Sequence, residues 1–140
     1  MARVHRSEMR IAQSLVDEIV QHAREDLPNE CCGIVSTSDG AAVKVYRARN
    51  SHASPLRFEI DSRDLIRIYS DVESQGNELG SMYHSHVKSP AYPSQTDVNF
   101  AQDWPGLIWL IVSLADLDVP DLKAFRITGP DVEEVELTVE

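Results

Sequence analysis

Apolar residues recur along this chain with two periods, and each predicts a different element. Ile11, Leu15, Ile19 and Ala23 fall at four-residue steps within the segment from Ile11 to Arg24, the spacing of one stripe of a helix, and Leu27–Pro28 ends it. Cys31 to Val35 is a short apolar run and Ala41 to Tyr46 alternates loosely. Asp39–Gly40 between them reads as a hairpin turn, so two antiparallel strands are predicted. After a loop containing Asn50, Ser54 and Pro55, Arg57 to Ile60 predicts a further strand. Asp61 or Ser62 then caps a helix that carries Leu65, Ile66 and Tyr69 and fades before Gly76. Leu79 to His86 reads as a strand, and Ser94 opens a short helix through about Gln102. Leu107 to Leu114 is apolar on both faces, as a central strand would be, and Leu122 to Thr128 and Val132 to Val139 alternate as outer strands. The order α-β-β-β-α-β-α-β-β-β predicts an α/β fold, a mixed sheet with helices packed against it.

Composition narrows the function classes. With 140 residues, 42% hydrophobic and 26% charged, the chain fits one globular domain spanning residues 1–140. The formal charge of −10, with Lys and Arg scattered singly, offers no basic face for a phosphate backbone, so nucleic acid is not an expected partner. The longest apolar run, Leu107 to Val112, falls far short of the ~20 residues of a membrane span. Arg3, His5 and Arg6 give a basic start without the apolar core of a signal peptide, which leads to the expectation of a cytoplasmic protein. The adjacent Cys31 and Cys32 cannot staple distant segments and are expected to be reduced and to pack in the core.

The candidate chemistry sits at the end of the Leu79–His86 strand. His84 and His86 are two apart, so in a strand both imidazoles project from one face and can share an ion. Asp97 falls in the first turn of the following helix, three residues after Ser94. Two neutral imidazoles and a carboxylate are ligand types zinc accepts, and three of them leave one tetrahedral position for water, whose pKa zinc can lower to ~7. Ser94 is a candidate oxyanion donor, and Glu30 a candidate acid/base that takes a proton from water and delivers it to a leaving amine. Each part alone has a plain explanation. An isolated H-x-H is usually a pair of packing or surface histidines, Ser94-x-x-Asp97 is also an ordinary helix start, and a lone Glu30 is usually a solvated loop carboxylate. His5, His22 and His52 lack ligand-spaced companions and read as surface residues.

His84-Ser85-His86, seven residues, Ser94, two residues and Asp97 together resemble the H-S-H-x7-S-x2-D signature of the JAMM (MPN+) metalloproteases. Glu30, within Asn29-Glu30-Cys31-Cys32-Gly33, resembles the family's upstream glutamate. Asn50, Ser54-Pro55, Phe58 and Asp61 resemble the segment that bacterial members carry between glutamate and histidines. The resemblance implies zinc on His84, His86 and Asp97, Glu30 as general acid/base, Ser94 at the oxyanion, Ser85 in support, and a fold similar to cytidine deaminases. Val87 departs from the proline usual in eukaryotic members, which implies a different loop and substrate.

Tyr83-His84-Ser85-His86 followed by Ala91-Tyr92-Pro93-Ser94 looks most like the small actinobacterial members that release cysteine from the C-terminus of a ubiquitin-like sulfur-carrier protein. The implied partner is such a carrier, whose Gly-Gly tail lies extended in a narrow groove, with release of cysteine or trimming of tail residues as the reaction. A nucleobase deaminase would need H-x-E and P-C-x-x-C, which this chain lacks. A non-catalytic scaffold and a general peptide or isopeptide hydrolase are the remaining alternatives. A homodimer is also open, with Val132 to Val139 available to pair with a second copy.

Overall fold

The computed structural model describes residues 8–140, so Arg3, His5 and Arg6 lie outside the described residues. The elements follow in the order β1 (Glu8–Ile11), α1 (Gln13–Glu25), β2 (Cys32–Ser38), β3 (Ala41–Ala48), α2 (Ser62–Ser74), β4 (Glu78–His86), α3 (Gln95–Ala101), β5 (Ile108–Ser113), β6 (Asp121–Thr128) and β7 (Asp131–Val139). The strands form one closed sheet, β1-β3-β2-β4-β5-β6-β7, with β1 joining β7 back to β3. The pairings β1–β3, β1–β7 and β4–β5 are parallel and the others antiparallel, which is the mixed α/β arrangement expected.

Strand alternation divides the apolar residues between the two faces of the sheet. Ile34, Met82, Trp109 and Phe125 pack with Ile68 of α2 and Ala101 of α3. The residues next to them, Val35, Tyr83, Leu110 and Ala124, pack on the other face with Ile19 and Ala23 of α1. Among the described residues no helix is long and apolar enough to cross a membrane.

Two sequence expectations change. Met9 and Ile11 alternate into the core and build β1, whereas Ile11 had counted as the first residue of the helical stripe. Four residues are too few for a period of two to stand out, and Ile11 satisfies both periods. Arg57 to Ile60 is not a strand, because its backbone is held mainly by side chains. Asn50 Nδ2 donates to the Arg57 carbonyl, Asn50 Oδ1 accepts from the Glu59 N–H, and one isolated bridge joins Asn50 to Ile60. β7, the strand offered for a second copy, pairs with β6 through Asp131–Val135 and with β1 through Glu136–Val139, so each of its sides is occupied over about half its length.

Gly33 of β2 lies opposite Tyr83, and a Cβ there would collide with the Tyr83 ring and the Tyr46 carbonyl oxygen. The Tyr83 ring is itself fixed, with its hydroxyl 2.6 Å from His22 Nδ1. Gly33→Ala is therefore expected to destabilise the fold by about 2–3 kcal/mol through overpacking, read as a lower urea midpoint at unchanged m-value. An unchanged midpoint would mean that the ring and strand yield easily.

Candidate metal centre

The last residues of β4 point alternately to its two faces, so His84 and His86 share one face and Ser85 the other. Both imidazoles are buried. The Leu114 N–H donates to the His86 carbonyl, and the Ser113 hydroxyl donates to the Ser89 carbonyl at 2.6 Å, tying the loop after β4 to the end of β5. That loop returns the chain to α3, whose first turn is a capping box: Ser94 Oγ accepts from the Asp97 N–H at 3.1 Å, and the Asp97 carboxylate accepts from the Ser94 N–H at 3.0 Å. The box turns the buried Asp97 side chain toward the histidines.

Three atoms converge there. His84 Nε2 and His86 Nε2 are 3.2 Å apart, and Asp97 Oδ2 lies 3.1 Å from the first and 3.0 Å from the second. Ligands ~2.0–2.1 Å from a tetrahedral zinc stand ~3.3 Å from one another, so this triangle fits such an ion after relaxing by a few tenths of an ångström. The donor chemistry agrees. His86 Nδ1 lies 2.8 Å from the Pro90 carbonyl, which can only accept, so Nδ1 carries a proton and Nε2 is the atom turned toward the carboxylate. Two imidazole nitrogens and an anionic oxygen at these distances need a proton or a metal ion among them. The same need drives the titration of the bare cluster. Burial alone would raise Asp97, but His84, hydrogen bonds with both imidazoles and the Ser94 N–H hold its carboxyl well below the usual carboxylate range. Burial alone would lower His86, but Asp97 and the Pro90 carbonyl push it up.

His84 is oriented differently from His86. Its Nδ1 has no hydrogen-bond partner among the described residues, and the ring is held by Phe58, stacked 4.4 Å away at 21°. Phe58 comes from the loop that the Asn50 side chain organises.

Glu30 arrives from β2. Cys32 pairs with His84, and the Ser85 N–H donates to the Cys31 carbonyl, so continuing the antiparallel register sets Glu30 beside His86. Its backbone is clamped on both sides, the N–H donating to Ser54 O at 2.8 Å and the carbonyl accepting from Asn50 Nδ2 at 3.1 Å. Only 4% of Glu30 is exposed, and its Oε1 is buried without a partner among the described residues. Burial, opposed by His86 and reinforced by Asp97, pushes its pKa up to about 8. Ser94 is exposed, and it lines the same groove as Glu30 and His86. Because Ser94 uses an oxygen lone pair for the cap, its hydroxyl proton stays free to donate. Ser85 faces away from the histidines and clamps β4 to the start of β2, its Oγ accepting from the Cys31 N–H at 2.8 Å.

Cys31 and Cys32 are buried free thiols, and burial raises both. His52 is exposed as expected, but His22 is not: it is 4% exposed, bonded to Tyr83 and 3.3 Å from Asp26. The stripe contained the signal, since His22 stands three residues after Ile19 on the buried face of α1.

Comparison with known proteins places the chain in a family. The family model described as prokaryotic homologs of the JAB domain matches residues 12–128. The CysO-cysteine peptidase of Mycobacterium tuberculosis is 31% identical over 131 residues, 92% of this chain and 89% of that protein. The desampylase of Haloferax volcanii is 34% identical over 143 residues, 96% and 98% of the two chains. The solution structure of a protein from Desulfitobacterium hafniense superposes with a TM-score of 0.86 at 34% identity, covering 94% of this chain and 92% of that one. A JAB1/MPN domain protein from Archaeoglobus fulgidus shares the fold at 23% identity and a TM-score of 0.63, covering 94% and 98%. With most of its length matched by the family model, the chain belongs to the prokaryotic homologues of the JAB domain.

Proposed function

We propose that His84, His86 and Asp97 hold a zinc ion, that Glu30 is the general acid/base and Ser94 the oxyanion donor, and that the substrate bond lies at the Gly-Gly tail of a ubiquitin-like sulfur-carrier protein. The enzyme is a JAMM-type hydrolase, its working unit is one domain spanning the chain, and its setting is the cytoplasm, where Cys31 and Cys32 stay reduced. The observation that carries this reading is the triangle of two imidazoles and one carboxylate, with the largely buried Glu30 lining the groove beside His86 and Ser94.

A zinc ion in that triangle supplies Lewis acidity toward a carbonyl and a water activated near neutral pH. The rest is the work of side chains. The groove between Pro55–Leu56 and Val87–Ser89 admits an extended tail. Glu30, protonated below about 8 in the bare site, shifts toward the carboxylate when a cation is near, which brings it into the range where it both accepts and returns a proton. Its carboxylate takes the proton from water and gives it to the departing amine. Ser94, held in place by its cap, turns its hydroxyl toward the developing oxyanion.

Support for the carrier as substrate comes from two relatives, whose names describe a CysO-cysteine peptidase and a desampylase. The test is to incubate zinc-loaded protein with a carrier extended past Gly-Gly by cysteine, and with unrelated peptides of equal length, and to weigh the products. Loss of the mass of cysteine from the carrier alone is expected. Equal cleavage of unrelated peptides would replace the carrier with a general peptidase reading, and no cleavage by a zinc-loaded protein would favour the scaffold.

A further inference from the structure

We propose that Lys88 reads the free α-carboxylate of the residue released from the tail, so that the groove favours a C-terminal amino acid over an isopeptide-linked lysine as leaving group. This inference rests on the hydrolase reading above and specifies its substrate. The groove beside Glu30 has a volume of about 450 Å³. Two glycines have no side chains and fill only part of it, since the space falls within the ~300–1,000 Å³ range of small-ligand sites. The group that returns a proton to the leaving amine must touch that amine, so the room next to Glu30 belongs to the departing residue.

Among the described residues Lys88 is the one lysine or arginine lining that room. It is exposed and makes no ion pair among the described residues, whereas Arg47 is held by Glu25, Arg49 and Arg67 by Asp64, and Lys44 by Asp71; Arg10 and Arg24 are likewise without a carboxylate partner but donate to backbone carbonyls away from the groove. In a chain of net charge −10, an unpaired cation at the mouth of a groove marks where an anion is drawn in. The two classes of leaving group differ at that place. An α-amine carries its carboxylate on the adjacent carbon, within ~3 Å of the nitrogen being released, a distance set by two covalent bonds. A lysine ε-amine is flanked by methylenes and brings no charge there. Hydrolysis is the same for both: water adds its hydroxyl to the glycine carbonyl and its proton to the departing nitrogen as the C–N bond breaks. Only the first class gives Lys88 something to bind, and its ammonium, a point charge on a flexible stem, can reach it.

The experiment measures kcat/KM for three peptides with the same tail. One ends Gly-Gly-Cys with a free carboxylate, one ends Gly-Gly-Cys-carboxamide, and one joins Gly-Gly to a lysine ε-amine. Parent protein is compared with Lys88→Ala, Lys88→Arg and Lys88→Glu, whose exposed position leaves the core untouched. The parent is expected to prefer carboxylate over carboxamide by about tenfold, the worth of one charge-assisted contact. Lys88→Ala brings that ratio toward one, Lys88→Glu inverts it, Lys88→Arg retains most of it, and added salt compresses it. Equal rates on the first two peptides, or a ratio that survives Lys88→Ala, would overturn the role of Lys88 and leave the hydrolase intact. Failure to cleave any of the three would remove the hydrolase reading and this inference with it.

Discussion

Glu30→Gln is expected to lower kcat by two to four orders of magnitude, the usual contribution of a positioned acid/base, while leaving zinc content unchanged. Glutamine keeps the shape and the buried environment but can neither take a proton nor return one. The same substitution is expected to stabilise the metal-free protein at alkaline pH. In the folded chain burial lifts Glu30 from its ordinary 4.5 to about 8, so the native state holds that proton more tightly than the unfolded chain does. Stability therefore falls as pH rises past 4.5, and the loss is complete above about 8. The gap bounds the cost at roughly 5 kcal/mol, and relaxation of the groove toward water brings the expected difference to about 2–3 kcal/mol. Thermal unfolding of metal-free parent and variant at pH 5 and pH 9 reads it: coincident curves at the lower pH and a more stable variant at the higher. A variant with near-parental kcat would remove Glu30 from the chemistry, and coincident curves at both pH values would mean that the carboxyl is solvated.

Asp97→Asn is expected to abolish zinc retention and to lower activity by at least ~10³, because it removes the only anionic ligand from a set of three. Zinc per chain after dialysis, measured by atomic emission, should fall from about one to near zero. The fold should change little, since an asparagine amide oxygen can still accept from the Ser94 N–H and the other half of the capping box is untouched. A loss below ~1 kcal/mol is expected for the metal-free variant. Retention of a full equivalent of zinc would place the ion elsewhere, and collapse of the fold would make Asp97 a structural residue first.

The sequence carried the architecture wherever a period had room to repeat. The alternations read at β6 and β7 and the four-residue stripe of α1 lie where the structure has those elements, and the stripe follows from burial of one face of the helix. β1 escaped because four residues hold too few repeats. The segment from Arg57 to Ile60 misled because the Asn50 and Ser51 side chains, with isolated backbone bonds from Arg49 to Ser51, hold an extended backbone without a continuous neighbouring strand. At the site, the spacing of His84 and His86 fixed their common face, and the capping motif fixed the direction of Asp97, because both follow from local geometry. Glu30 could be named as a candidate carboxylate and matched by resemblance, but its approach to His86 was not legible, because it depends on how β2 pairs with β4, a contact across more than fifty residues. The stacking of Phe58 on His84 and the burial of His22 against Tyr83 also depend on tertiary packing, which no local pattern encodes.

The ring of strands is joined unevenly around β1. Among the described residues four pairs bind β1 to β7 and a single pair, Arg10 with Ala41, binds it to β3, joined by the Arg10 N–H and guanidinium, which donate to the Gly40 and Asp39 carbonyls. A seam with so few paired residues is expected to open at a lower free energy than the whole fold, as a clasp loosens before the band it fastens. β4, which carries His84 and His86, lies beyond β3 and β2 on that side and beyond β7, β6 and β5 on the other. The groove beside His86 is thereby set apart from that seam.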